Sequence, residues 1–498
     1  MRSSFGRQEL NAVSALRQWP TTPLDSVPLA LWSASDIAAA TGGRASADFE
    51  VAGVETDSRY IRNGDLFVAL KGETMDGHRF LEQAFAAGAA AALVDREVLW
   101  PHILVEDTSE ALEALAAAAR ERTRAKFVGV TGSVGKTGVK EAIFAALERS
   151  SRGAAHRSIK SYNNHVGVPL SLARMPARSK FAVFEMGMNH AGEISELTRF
   201  VKPDVAVITT IAPAHIENLG SMEAIAAAKA EIFEGVKPGG VAVIPADSPH
   251  FAQLRDAAKA QHCHILSFGR SEHADMRLLD AIPQASGGSL MTAQCGSGRL
   301  VFSVAEPGEH WVMNALAVMA AVLAVGGDLA SAGLALAEMG GLAGRGARHR
   351  IAVLGGKALV IDESYNANPA SMRATLAQLG QTPAARRIAV LGSMKELGDF
   401  SDRFHAGLAE PICDAKVDYA VLVGEEMHAL VGEFHRILGK AGQGALGKVP
   451  TFAHCRDAGE AAGLLADYGI VGGDAILVKG SNSVGLGKVI SELTRRDD

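Results

Sequence analysis

Between Val130 and Ile143 the chain reads VTGSVGKTGVKEAI. Gly132, Ser133, Gly135, Lys136 and Thr137 follow an apolar stretch and open a helix-like one. That order suits a phosphate. Glycines permit a tight turn and close backbone approach. Amides at a helix start point toward a ligand, where the dipole favours an anion. A lysine in this place reaches β- and γ-phosphates, and a threonine hydroxyl holds Mg2+. The spacing departs from the full G-x-x-x-x-G-K-[ST]. Val130 stands where the first glycine belongs, and Gly129 is one place early. The loop alone predicts use of ATP or GTP and leaves the reaction open.

Other residues stand where chemistry is expected. Glu185 closes the apolar strand FAVF, which puts a carboxylate at a strand's C-terminal end, where α/β sites sit. His215 follows the strand VAVITTIA, and Asp362 closes ALVI. Lys229, in AAAKAEIF, reads by itself as a solvated helix lysine beside Glu231. Asn163 and Asn164 read as turn residues.

Elements that alternate strand and helix must position these groups. The central block carries KFVGVTG, FAVFEMG, VAVITTIA and GGVAVIPA, with helical stretches between. That pattern predicts a parallel sheet covered on both faces. A β-rich stretch at 274–305 precedes a helix at HWVMNALAVMAAVLAV. ALVIDE, RRIAVLG, YAVLVG and AILVKGS predict a second α/β unit after the glycine-rich run GGLAGRGARHR. Earlier, DLFVAL and AALVD flank the helix-like GHRFLEQAFAAGA. The expected fold is therefore α/β with three domains. These are a smaller N-terminal domain (29–108), a central P-loop-type domain with a parallel sheet (109–342) and a C-terminal Rossmann-like domain (343–498). Residues 1–28 are expected to be a tail.

Composition is that of a soluble globular chain: 498 residues, 48% hydrophobic and 21% charged. A net charge of −6 argues against a nucleic-acid partner, which calls for a basic surface. Four scattered cysteines form no CxxC pair, which fits a reducing cytoplasm. No apolar run reaches membrane-spanning length. The alanine-rich runs 85–94 and 315–326 are read as buried helices, although AALVD at the end of the first also reads as a strand.

A series of longer motifs is more specific than the phosphate loop. SYNNHVGVPLSL (161–172), EMGMNHAGEISEL (185–197), TTIAPAHIENLG (209–220) and AAAKAEIFEG (226–235) follow it in order. Together they resemble the Mur ligase family, ATP-dependent amide-forming enzymes of peptidoglycan synthesis, over nearly the whole chain from about residue 32. TDSRYIRNGDLFVALKGETMDGHRF (56–80), DESYNANPASM (362–372) and LGSMKELGD (391–399) resemble the last ligase of that series. The resemblance implies joining of D-alanyl-D-alanine to UDP-N-acetylmuramoyl-tripeptide through an acyl phosphate. ATP and Mg2+ are the expected cofactors, and a cytoplasmic monomer is the expected form.

The resemblance also implies roles. Lys136, Lys229 and His215 would be catalytic. Thr137, Glu185, His215 and a carbamylated Lys229 would hold Mg2+. Asn314 would contact adenine, Asp362 the ribose, and Arg345 the nucleotide phosphates, with Arg348 and Arg350 as competitors. Ser58, Arg59, Lys71, Asp76, Gly77 and His78 would bind the UDP-sugar. Asn163 and Asn164 would serve phosphates and substrate; Tyr365, Asn366 and Asn368 would place nucleotide or dipeptide. After ILVKGS this chain reads NSVGLGKVI, where the family usually carries an arginine or other basic run.

Overall fold

The computed structural model describes residues 30–72, 75–159, 161–284, 287–440 and 449–495. The tail expected over 1–28 lies outside the described residues. Contacts divide the chain into one unit ending at Ala114 and another beginning at Leu115.

The first unit is built on a five-stranded sheet, in the order Arg44–Ala45, His102–Leu104, Ala91–Val94, Asp65–Val68, Gly53–Glu55. The last four strands run parallel, and Arg44–Ala45 pairs antiparallel. Residues 85–94 do not form one helix. The helix ends at Ala86, and Ala91–Val94 is a fully buried strand. A strand buried on both faces shows no alternation, so its apolar run looks like a helix segment.

Among the described residues the second unit contains two sheets. The larger has nine strands, in the order Gly298–Val304, Ser289–Cys295, Met276–Pro283, His264–Gly269, Val241–Pro245, Val205–Ile208, Lys126–Thr131, Phe181–Glu185, Ala155–Arg157. Pairing is parallel through the central strands and antiparallel within the 276–304 segment, the expected β-rich stretch. The sequence reading did not single out His264–Gly269. Successive side chains alternate between two cores: Phe127, Ala182 and Phe184 enter one, while Val128, Val130 and Val183 enter the other. The helix expected at 315–326 is Glu309–Ala324, which ends two residues earlier than the apolar run; most of its small, apolar residues are buried in the second of these cores.

The smaller sheet has six strands, ordered Ala347–Val353, Gly356–Glu363, Asp474–Lys479, Arg386–Gly392, Tyr419–Val423, Thr451–Cys455. Its flanking strands, Ala347–Val353 and Thr451–Cys455, are additions to the sequence reading. Asp474–Lys479 lies between two strands that precede it in sequence. Such a reversal opens a crevice at the strands' C-terminal ends. The two sheets share a core in which Ile216 and Ile225 pack with Leu391, Met394 and Leu397.

Candidate active site

The phosphate loop is held from several sides. Lys126–Thr131 runs into the loop, and the helix Lys136–Ser151 leaves it. Gly132 has φ +146, and a Cβ there would lie 1.9 Å from Thr209 Oγ1. Gly135 has φ +88, with its Cβ position 2.7 Å from Asn314 Oδ1. Neither position has room for a side chain. Ser133 Oγ donates to the Ala212 carbonyl at 2.9 Å and accepts from Ala212 N at 3.0 Å. Ser133 therefore ties the loop to the segment after the strand Val205–Ile208. Lys136 Nζ donates to the Gly132 carbonyl at 2.6 Å. Burial lowers its pKa; Glu185 opposes the shift and Arg345 adds to it.

Hard oxygen donors stand beside the loop. Thr137 Oγ1 donates to Glu185 Oε2 at 2.9 Å, and Asn163 Nδ2 donates to Glu185 Oε1 at 2.7 Å. Glu185 is buried, at 1% exposure. A hydroxyl and a carboxylate this close are a donor pair of the kind Mg2+ takes. The residues present therefore fit that ion. Asn164 does something else: its Oδ1 accepts from Gly167 N at 2.9 Å and supports the start of the helix Gly167–Ala173.

Lys229 is not a solvated helix lysine. It is 1% exposed, and its pKa falls well below the usual lysine value, first through burial and then through Lys136. Nor is Glu231 a solvated neighbour. Its carboxylate accepts from Gly192 N at 2.7 Å and Ser195 N at 3.2 Å. His215 has φ +58 and faces Glu396 through Nδ1.

One cleft of about 340 Å3 opens within the second unit; Thr137, Asn164, Lys229 and Glu231 are absent from its described lining. Lys136, Asn163, Glu185, His215 and Asn314 reach it from the nine-stranded side. Arg345, Tyr365, Asn366 and Asn368 reach it from the six-stranded side. Arg345 bridges the two: its Nη2 donates to Ser161 Oγ at 3.1 Å, and its guanidinium lies 4.3 Å from the Tyr365 ring centroid. Its competitor Arg348 is exposed and interacts with Glu306. Asn368 also caps the helix Pro369–Gln381, in a reciprocal box with Ser371.

Asp362 is buried beneath this edge. Its Oδ2 accepts from Gly344 N at 2.8 Å, and its Oδ1 accepts from Ser364 N at 3.1 Å and Ser364 Oγ at 2.6 Å. It shapes the loop that presents Arg345, and it is absent from the cleft's described lining.

In the first unit, Asp76 Oδ1 accepts from His78 N at 3.0 Å and meets His78 Nδ1 at 2.6 Å, while Oδ2 accepts from Arg96 at 2.7 Å. Arg96 is the main cause holding the Asp76 carboxyl well below the usual range. His78 is buried, with Nε2 3.1 Å from Asp95 Oδ1. Gly77 has backbone at 2.7 Å from its Cβ position. Ser58 is buried and donates to Gln83 Oε1 at 3.1 Å. Arg59 is exposed and pairs with Asp57, and Lys71 is exposed. Ser58, Asp76 and His78 thus shape the turns, and Arg59 and Lys71 project charge.

The sequence reading missed several cleft residues. Lys479 is 2% exposed, donates to the Asn366 carbonyl at 2.8 Å and lies 3.5 Å from Glu363 Oε2. Burial lowers its pKa. His310 lines both the cleft and a neighbouring cavity of about 390 Å3, and burial brings its pKa down to about 4. The one available signal for Lys479 was a charge at the end of an apolar strand, the cue that identified Glu185.

A phosphate loop facing a strand-end carboxylate, with an arginine supplied from a second sheet, defines a nucleotide-binding α/β protein. The chain belongs to the Mur ligase family. Three family models match it: "Mur ligase family, catalytic domain" over 50–127, "Mur ligase middle domain" over 130–322 and "Mur ligase, glutamate ligase domain" over 349–482. It is 38% identical to the UDP-N-acetylmuramoyl-tripeptide--D-alanyl-D-alanine ligase of Bacillus subtilis, over 75% of this chain and 80% of that one. The Escherichia coli protein of the same name is 36% identical, over 77% and 84%. Among solved structures, MurF from Acinetobacter baumannii superimposes with a TM-score of 0.78 at 31% identity, covering 93% of this chain and 99% of that one. MurF ligase from Thermotoga maritima, solved in complex with ADP, gives 0.71 at 26%, covering 89% and 97%.

Proposed function

We propose that this chain is the ATP-dependent ligase that joins D-alanyl-D-alanine to UDP-N-acetylmuramoyl-tripeptide, forming ADP and phosphate. The observation that carries the reading is the cleft itself. Phosphate-loop groups, Glu185 and Arg345 converge on one space from two sheets. The relatives' shared name supports the substrates.

In this reading the tripeptide carboxylate attacks the γ-phosphorus of ATP, ADP leaves, and the dipeptide amine displaces phosphate from the acyl phosphate. Negative charge gathers at both steps, and pre-placed cations are what lower such barriers. Lys136 holds the transferring phosphoryl group. Arg345 neutralises it from the opposite side, with its plane fixed on Tyr365. Asn314 reaches adenine in the neighbouring cavity, whose walls include Pro245, Phe268 and Met313. Thr137, Glu185, His215 and a carbamylated Lys229 would hold Mg2+, which supplies charge neutralisation. Residues 29–108 bind the UDP-sugar, 109–342 the nucleotide and 343–498 the dipeptide. The enzyme acts as a cytoplasmic monomer, where ATP and nucleotide-linked precursors are made. Among the described residues no helix is long and apolar enough to cross a membrane.

The test is ADP release with ATP, the UDP-linked tripeptide and D-alanyl-D-alanine, each omitted in turn. Release should need all three and vanish in Lys136→Ala protein with an unchanged circular dichroism spectrum. Near-normal release by that variant would sink the assignment.

A further inference from the structure

Behind Glu185 lies a line of alternating charges that the reaction above does not use. Lys140, one helical turn beyond Lys136, is fully buried. Its ammonium donates to the Ser158 carbonyl at 2.9 Å and lies 3.0 Å from Glu141 Oε1 and 3.9 Å from Glu185 Oε2. Glu141 Oε2 in turn lies 2.8 Å from Arg157 Nε. The Arg157 guanidinium sits 3.9 Å from the Phe144 ring centroid. Side-chain exposure falls along the chain, from 36% at Arg157 through 16% at Glu141 to 0% at Lys140 and 1% at Glu185. Ser158 closes the arrangement, since its Oγ accepts from Glu185 N at 3.2 Å.

A buried ammonium is costly and persists where partners compensate it. Here two carboxylates share one cation. Charge that Lys140 gives to Glu185 lessens the attraction of that carboxylate for a second cation. Charge that Glu141 draws from Lys140 restores it. At 3–4 Å in a poorly solvated site such interactions outweigh those between surface charges.

We infer that Lys140 is a positioning residue that sets how tightly Glu185 takes a divalent cation, and that Glu141 tunes Lys140. The inference rests on the proposed reading of Glu185 as a Mg2+ ligand. It makes two neighbouring substitutions act in opposite directions. Lys140→Met removes the competing cation and should tighten Mg2+ binding. Glu141→Gln removes the other carboxylate that draws on Lys140 and should weaken that binding. Loss of packing would weaken binding in both.

The experiment is a MgCl2 titration of the full chain at fixed ADP, read as the free Mg2+ giving half of the maximal thermal stabilisation. Lys140→Met should lower that midpoint and Glu141→Gln should raise it, each by about threefold or more. Midpoints that both rise, or that both match wild type, overturn the inference. If Lys140→Met does not fold, Glu141→Gln decides alone, and an unchanged midpoint overturns it. A wild-type protein whose stability ignores Mg2+ in the presence of ADP overturns the metal reading of Glu185 and this inference with it. A wild-type response without opposed shifts overturns the inference only.

Discussion

His215 Nδ1 is paired with the carboxylate of Glu396, and both residues sit in the left-handed region, at φ +58 and +63. Non-glycine residues adopt that conformation where surrounding structure imposes it, commonly at functional sites. The pair joins the loop after Val205–Ile208 to the loop after Arg386–Gly392. Nearby, Gly398 at φ +51 leaves only 2.9 Å between its Cβ position and Glu217 Cγ.

Glu396→Ala should therefore act on turnover more than on stability. The Glu396 side chain is 49% exposed, and such pairs stabilise by ~1 kcal/mol or less. The melting temperature should move little, while kcat falls and KM for the UDP-linked substrate holds. Stopped-flow and steady-state phosphate release measure this. An unchanged kcat would remove the pair from the catalytic cycle.

Lys229 is expected to carry a carbamate in active protein. Its buried amine is held toward the neutral form, with burial as the leading cause. A neutral amine attacks CO2, loses a proton and becomes an anion, whose oxygens suit Mg2+ where an ammonium would repel it. Phosphate release in CO2-depleted buffer should fall and return on adding bicarbonate. Lys229→Ala should lose on the order of a hundredfold in kcat and gain nothing from bicarbonate. Full activity of Lys229→Ala in depleted buffer would refute the carbamate.

The residues legible in sequence were those with a local signature. The phosphate loop announces itself by glycines between a strand and a helix. Glu185 announces itself by ending an apolar run. Lys140 had no comparable signature, and Lys479 had the strand-end position it shares with Glu185 but nothing to mark its partners. Lys140 lies on a helix where a lysine usually faces water, and partners such as Ser158, Glu141 and Glu185 make it an inward residue. Lys479 reaches the cleft because its strand inserts between Gly356–Glu363 and Arg386–Gly392, a pairing set by tertiary structure. Asp362 was legible as a strand-end carboxylate, but not as the acceptor that holds Gly344 and Ser364. Local pattern names the residue type, and partners such as Ser158 for Lys140 and Gly344 for Asp362 come from other segments.

Glu306 should make stability fall as pH rises. Burial, with Glu363 adding to it and Arg348 opposing, brings its pKa from the ordinary 4.5 up to about 7. The folded chain thus keeps a proton that the unfolded chain releases between those values. Stability from this group is complete below 4.5, declines through that window and is lost above about 7. At ~1.4 kcal/mol per pH unit the loss approaches about 3 kcal/mol. Glu306→Gln should melt like wild type at pH 5 and higher than wild type at pH 8. Urea unfolding at both pH values checks this. Equal stability of the two proteins at pH 8 would show that Glu306 is not held protonated.

The amine substrate should be the dipeptide and not its first residue. On the six-stranded side the cleft presents Asn366, Asn368, Ser371, Thr375 and Asn482, with the methyl group of Ala374 among them. In the proposed reading these polar groups meet the dipeptide's peptide bond and distal carboxylate, and a shortened ligand that leaves them without those partners is penalised. A single D-alanine also leaves space for water, which would hydrolyse the acyl phosphate. Steady-state phosphate release at matched amine concentrations should give D-alanyl-D-alanine a kcat/KM on the order of a hundredfold or more above D-alanine. Amide product, resolved by mass spectrometry, should account for the phosphate released with the dipeptide and for only part of it with D-alanine. Equal kcat/KM values for the two amines, or a preference for lysine or diaminopimelate, would assign the cleft to a different amine.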